Sequence, residues 1–152
     1  MLASARAVEL DSESYLARVL QQQVLHFSGK WKESVAAAQI ALAMSGRHPW
    51  SMVFLASTFS ESGKAANADA VYEEMRGRAR HEYLSPALLA FGAAAASRKN
   101  EVIRHAREAV EIRDPQCQFV FSRHAPWRAL LYADPRFREI ISSLGRTDWL
   151  RD

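Results

Sequence analysis

Five histidines, one cysteine and two Gly-Lys dipeptides are the residues of this 152-residue chain best equipped for chemistry. Two histidines a helical turn apart would hold zinc, and two cysteines two residues apart would form a redox or metal centre. A glycine-rich loop ending in Gly-Lys-Ser/Thr would cradle a phosphate. His26, His48, His81, His105 and His124 have no metal-site spacing and no metalloprotease-type carboxylate beside them, and Cys117 has no partner. Gly29-Lys30 and Gly63-Lys64 lack both the upstream glycine and the following hydroxyl residue. The expectation is therefore no enzyme, with no catalytic, metal or cofactor-binding residues and no cofactor. His105 is expected on a helix, facing water or a neighbouring carbonyl.

The same dipeptides have a structural explanation, because they recur. Ser28-Gly29-Lys30 returns 34 residues later as Ser62-Gly63-Lys64, and again as Ser97-Arg98-Lys99, where Ser97 stands in the glycine's place. A period of that length marks a unit too small to bury its own apolar face, so neighbouring copies must stack. Columns run in register with the turn: Ala7, Ala41, Met75 and Ala109; then Leu16, Trp50 and Leu84; Val19, Val53 and Ala87; Leu20, Phe54 and Leu88. Each repeat reads as a pair of helices joined by the Gly-Lys turn. Ala56, Ala68 and Ala90 fall where paired helices approach closely, so Ala56→Leu or Ala90→Leu should overpack while Arg98→Ala should matter little.

Helical periodicity predicts elements near 13–27, 30–44, 48–61, 64–80, 85–97 and 99–113. Trp31, Val35, Ala38 and Leu42 form one apolar stripe. Asp11, Ser12 and Ser14 are candidate caps for the first helix, and Pro49 and Pro86 suit first helical positions. Residues 115–125 read as irregular. A short helix after Pro126-Trp127 and a capped one after Asp134-Pro135 follow, the latter with Phe137, Ile140, Ile141 and Leu144 on one face, as an end cap requires. Trp127 is expected to anchor that cap.

Ser28-Gly29-Lys30-Trp31-Lys32-Glu33-Ser34-Val35 through Ala41-Leu42 to Pro49 resembles a tetratricopeptide repeat. The stretch from Phe59 through Gly63 to Ala68, Tyr72 and Met75 resembles a second, and a weaker third follows. The closing segment is similar to those of tetratricopeptide arrays on bacterial signalling proteins, including nucleotide cyclases, protein kinases and winged-helix regulators. The resemblance implies an all-α, right-handed α-α superhelix of about three hairpins with C-terminal capping helices. Its parts would be the end of a truncated upstream repeat (1–12), three repeats (13–46, 47–81, 82–115) and a capping segment (116–152). The truncation rests on Ala7-Val8-Glu9-Leu10, in register with Ala41-Leu42-Ala43-Met44. A free-standing chain is the alternative.

The resemblance also implies that the first helix of each pair lines a concave groove. That places Leu16, Val19, Leu20 and Gln23 there, with Trp50, Val53, Phe54 and Ser57, and with Leu84, Ala87, Leu88 and Phe91. The wall holds no lysine, arginine or asparagine, so no chaperone carboxylate clamp is expected. The groove is filled by the chain itself, through Gln118-Phe119-Val120-Phe121 or an upstream helix, or by a partner's peptide, or by a second copy.

Charge narrows the partners. Residues 1–75 hold 6 basic and 8 acidic side chains and residues 76–152 hold 14 and 9, for a net charge of +3. Most arginines are expected at the solvated surface, with Arg76, Arg78 and Arg80 balancing a helix C-terminus. A small net charge without a recognition helix argues against nucleic acid. No apolar run approaches a membrane span, no signal peptide opens the chain, and one cysteine suits the cytoplasm. The functional expectation is a non-enzymatic protein- or peptide-binding scaffold, a regulatory part of a larger bacterial signalling protein. The alternative is a self-associating solenoid, such as a homodimer.

Overall fold

The computed structural model describes residues 6, 8–122 and 128–145, and among these every regular element is an α-helix. Six helices make three successive hairpins: α1 (Tyr15–Phe27) with α2 (Trp31–Met44), α3 (Pro49–Glu61) with α4 (Ala65–Arg78), and α5 (Pro86–Ala95) with α6 (Lys99–Glu111). Three shorter helices follow: α7 (Cys117–Val120), α8 (Arg128–Tyr132) and α9 (Pro135–Ser143). The expectations placed on residues 1–5, Ala7, Pro126 and Trp127 lie outside the described residues.

The recurring turn has one geometry in all three hairpins. Gly29, Gly63 and Ser97 take positive φ (69°, 78° and 59°). The amide of the next residue then reaches back to a carbonyl five residues earlier: Lys30 to Leu25 at 3.0 Å, Lys64 to Phe59 and Arg98 to Ala93 at 2.8 Å. This is the left-handed helix stop that satisfies end carbonyls, and glycine adopts it without a Cβ penalty. The starts are equally local. Ser14 and Ser85 accept the amides of Ala17 and Leu88, His48 Nδ1 accepts that of Trp50, and Pro49 and Pro86 open their helices.

Packing follows from stacking. The helices of each hairpin pack on one another, α2 packs on α3 and α4 on α5, and the first helices touch in series, α1 on α3 and α3 on α5. Burial grows along the series: α3 is buried continuously from Ser51 to Thr58, and all ten residues of α5 are buried. Ala56, Ala68 and Ala90 are fully buried. A Cβ on Gly92 would meet both Met75 Sδ and Tyr72 Cδ2 at 3.3 Å. Past α6, Asp114 is a buried connector. Its carboxylate accepts from the Ser85 hydroxyl (2.5 Å) and the Ala87 amide (3.1 Å) at the start of α5, and from the Gln116 amide (2.9 Å).

That last bond starts a helix where an irregular segment was expected: α7 occupies Cys117–Val120 and packs on α5. The cap agrees with its sequence pattern. Asp134 accepts the Arg136 amide at 2.9 Å, and Phe137, Ile140 and Ile141 are buried where α9 meets α6 and α8. Phe137 takes Phe121 and Tyr132 edge-on, each at 5.1 Å. Several surface arginines are paired. Arg98 grips Asp69 with two bonds of 2.8 and 2.9 Å and lies 3.4 Å from Glu73, so it ties α6 to α4. Arg47 pairs with Glu74, and Arg78 donates to the Arg47 carbonyl at 2.5 Å, joining successive hairpins.

Two expectations check this packing. Ala90→Leu should overpack the α5 contacts and lower stability by about 1–3 kcal/mol in urea unfolding. Ser97→Gly should relieve the left-handed strain at an exposed turn, a net gain of roughly 0.5–1 kcal/mol after the larger unfolded-state entropy of glycine. A destabilised Ser97→Gly would contradict this account of the turn.

Candidate functional site

A concavity of about 610 Å3 lies across α1, α3 and the segment from Gln116 to Ser122. Trp50 and Phe54, one turn apart on α3, stack at 6.0 Å. Phe54 then meets Phe27 and Phe91 edge-on at 6.1 and 5.8 Å, giving an aromatic floor continuous with the core. Leu16 and Val19 of α1 form one wall and Phe119 the opposite one. Leu16 and Phe119 are 65% and 57% exposed, a large apolar presentation for side chains of this size. Polar atoms come from Tyr15, Gln23, His48, Gln116, Gln118 and Ser122, and among the described residues no Asp, Glu, Lys or Arg lines the groove.

The predicted groove residues divide by hairpin. Leu16, Val19, Gln23, Trp50 and Phe54 line the concavity, and Leu20 is exposed beside it on α1. Val53 and Ser57 are buried within α3's packing. Leu84, Ala87, Leu88 and Phe91 are buried and line no open groove. Val120 and Phe121 are fully buried in the same core cluster as these residues, and α7 packs on α5. The chain thus covers the third hairpin itself and leaves the first two open.

A polar seam lies beneath the groove. Gln22 Nε2 donates to the Ser51 carbonyl at 3.1 Å, and Ser34 Oγ donates to the Gln22 carbonyl at 3.1 Å. His26 places Nδ1 3.0 Å from Thr58 Oγ1 and Nε2 3.3 Å from the Glu61 carboxylate. Burial pushes the His26 pKa down, against the pull of Glu61. His105, expected at the surface, is also buried and meets the Tyr72 hydroxyl at 3.0 Å. Its helical position carried no such signal, since the contact comes from a residue 33 positions away.

The Cys117 thiol is pushed up to about 12 by burial and by Asp114, so it stays protonated. Among the described residues no group of three His, Cys, Asp or Glu side chains is placed to hold a metal ion. A smaller cleft of about 340 Å3, lined by Ala94, Val102, Leu131 and Pro135 among others, is the joint between the third hairpin and the cap.

No family model, curated protein or solved structure matches this chain. The reading of the groove therefore rests on its own residues: apolar walls, an aromatic floor and uncharged hydrogen-bonding groups.

Three histidines carry a pH signature. His26, His48 and His105 all have lowered pKa values, from burial first, reinforced by Arg78 at His48 and by Arg104 at His105. The folded state then binds fewer protons than the unfolded state, and stability rises with pH across this window. Urea midpoints should be level above about pH 7.5 and fall between roughly pH 6.5 and 5, above the carboxylate range. His26→Asn should flatten part of that slope. A profile that improves on acidification would refute the assignment of neutral buried rings.

Proposed function

We propose that this chain is a tetratricopeptide-type scaffold, its hairpins forming a right-handed superhelix, which binds a partner's peptide in the groove across α1 and α3. The single observation carrying this reading is the apolar concavity of about 610 Å3 on the first two hairpins, whose lining among the described residues is uncharged. Its chemistry fits an amphipathic or extended segment with apolar anchors, whose backbone groups meet Gln23, Gln116 and Gln118. The reading places the protein in the cytoplasm as a regulatory part of a larger bacterial signalling protein. Among the described residues no helix is long and apolar enough to cross a membrane.

A second reading, self-association, draws on α1 and α2. Leu16, Leu20 and Phe27, with Ile40 and Met44, are exposed large apolar side chains on these neighbouring helices. A homodimer would cover them as an upstream hairpin would.

Phe54 is buried, so a charge there would unfold the stack and test nothing. The exposed walls serve better. Leu16→Glu and Phe119→Glu should each keep the helical content and thermal midpoint of the parent while lowering hydrophobic-dye fluorescence several-fold. Light scattering on the parent separates the readings: a monomer at all concentrations supports the partner groove, and a dimer dissolved by Leu16→Glu or Met44→Glu supports self-association. Dye binding unchanged in both groove variants would rule out the open groove.

A further inference from the structure

A second concavity, about 430 Å3, lies between the second helices of two successive hairpins, α4 and α6. Leu89 forms part of its floor, and three guanidiniums, Arg76, Arg80 and Arg104, stand around it with one carboxylate, Glu108. Its inner wall is His105, only 5% exposed. One edge of that ring is fully engaged: Nε2 lies 3.0 Å from the Tyr72 hydroxyl and 3.2 Å from an Arg104 nitrogen. The other is not. Nδ1 is buried without a hydrogen-bond partner, and the Glu108 carboxylate stands 3.7 Å away, too far to serve as one.

The ring proton can be placed from its neighbours. Arg104 has only N–H groups to offer, so Nε2 facing it is the acceptor and the proton resides on Nδ1. The Tyr72 hydroxyl donates its single proton to Glu101 Oε2 at 2.6 Å and lies 3.0 Å from Nε2. The cleft therefore contains a buried N–H donor lacking an acceptor, a rare condition in a folded protein. The cations beside it are available. Arg80 is exposed and in no ion pair among the described residues, and Arg104 is mostly exposed, with one nitrogen 3.5 Å from Glu101 and 3.2 Å from His105 Nε2. Arg76 is held by Glu73 (3.1 Å) and Glu101 (3.4 Å), which makes it part of the frame. Glu101 is likewise committed to Tyr72, Arg76 and Arg104.

We propose that this cleft binds a phosphate-type oxyanion, with His105 Nδ1–H, Arg80 and Arg104 as its donors and Glu108 as the carboxylate it displaces. Guanidiniums pair with phosphate oxygens through two parallel bonds, and the buried imidazole N–H supplies a fixed third contact. The cleft is larger than a free phosphate needs, so it accommodates the group carried on an organic moiety. The site shares no lining residue with the peptide groove and does not depend on it.

Titration of the full chain with inorganic phosphate and with phenyl phosphate, followed by the ring-proton NMR signals of His105, tests the site. A saturable shift with a Kd in roughly the millimolar range or tighter is expected. Phenyl phosphate binding more tightly than phosphate would support the proposal and name a phosphomonoester as the source; equal binding would support it with the free anion as the source. Arg80→Gln, at an exposed position, should weaken binding several-fold, and Arg80→Gln with Arg104→Gln about tenfold or more. Glu108→Gln should tighten it several-fold, while Glu111→Gln, on the same helix outside the cleft, should leave it unchanged. His105 signals that stay still, or that follow sodium chloride equally at matched ionic strength, would overturn the proposal. So would equal responses to Glu108→Gln and Glu111→Gln.

Discussion

The close approach of helices onto α5 is the constraint on which the rest of the structure depends. Five other helices, α3, α4, α6, α7 and α8, pack against this ten-residue segment, and every residue in it is buried. A helix can receive neighbours on every side only if its own side chains are short where they arrive, and Ala87, Ala90, Ala93, Ala94 and Ala95 provide that. Gly92 goes further. Glycine inside a helix costs about 1 kcal/mol relative to alanine, but here even a methyl would press on Met75 and Tyr72. The large residues of α5 are correspondingly few: Leu88, Leu89 and Phe91 fill the gaps between the arriving helices.

Such an apolar packing holds helices together without fixing their register, because sliding an alanine surface by a turn changes little. The buried polar groups supply what it lacks. Gln22, Ser34, Ser51 and Thr58 join α1, α2 and α3 through bonds of 3.1 to 3.2 Å. Tyr72, Glu101 and His105 join α4 to α6. Displacing either hairpin by one turn would strand each of these atoms away from water, at about 1–3 kcal/mol for every group left unmatched. The Arg98–Asp69 fork adds a third tie nearer the surface. It is exposed, so its value lies in alignment more than in stability.

Features set by neighbours in sequence were legible before the structure. The six long helices, their proline starts and the left-handed turns follow from local backbone chemistry, and even the departure from glycine at Ser97 kept the turn's position. Features set by distant residues were not. His105 and Arg98 sit at helical positions that look solvated in isolation, and their partners Tyr72 and Asp69 lie 33 and 29 residues earlier. The short α7 has too few residues to show a period and owes its start to Asp114, itself recruited by α5. Leu20, Phe54 and Leu88, one column of the sequence, fall on the first helices of the three hairpins. Their exposure depended on α7, which periodicity cannot place.

That covering explains why the open groove is confined to one end of the stack. Equivalent positions pass from exposed at Leu16 and Leu20, to partly and fully buried at Trp50 and Phe54, to fully enclosed at Leu84 and Leu88. Val120 and Phe121 close the far end, and the Tyr132 hydroxyl secures the Phe121 carbonyl at 2.8 Å, so the plug is tied to the cap. Its outer residue, Phe119, then has no room in the core and becomes the groove's second wall. The segment that fills one half of the concavity thereby shapes the other. Charge is sorted by the same logic: the first helices, pressed between neighbours, carry only Arg18 in α1, Glu61 in α3 and none in α5, while the less enclosed α4 and α6 carry many arginines and carboxylates. An apolar groove and a cationic cleft can therefore coexist on one small stack, each built from helices with a different solvent contact.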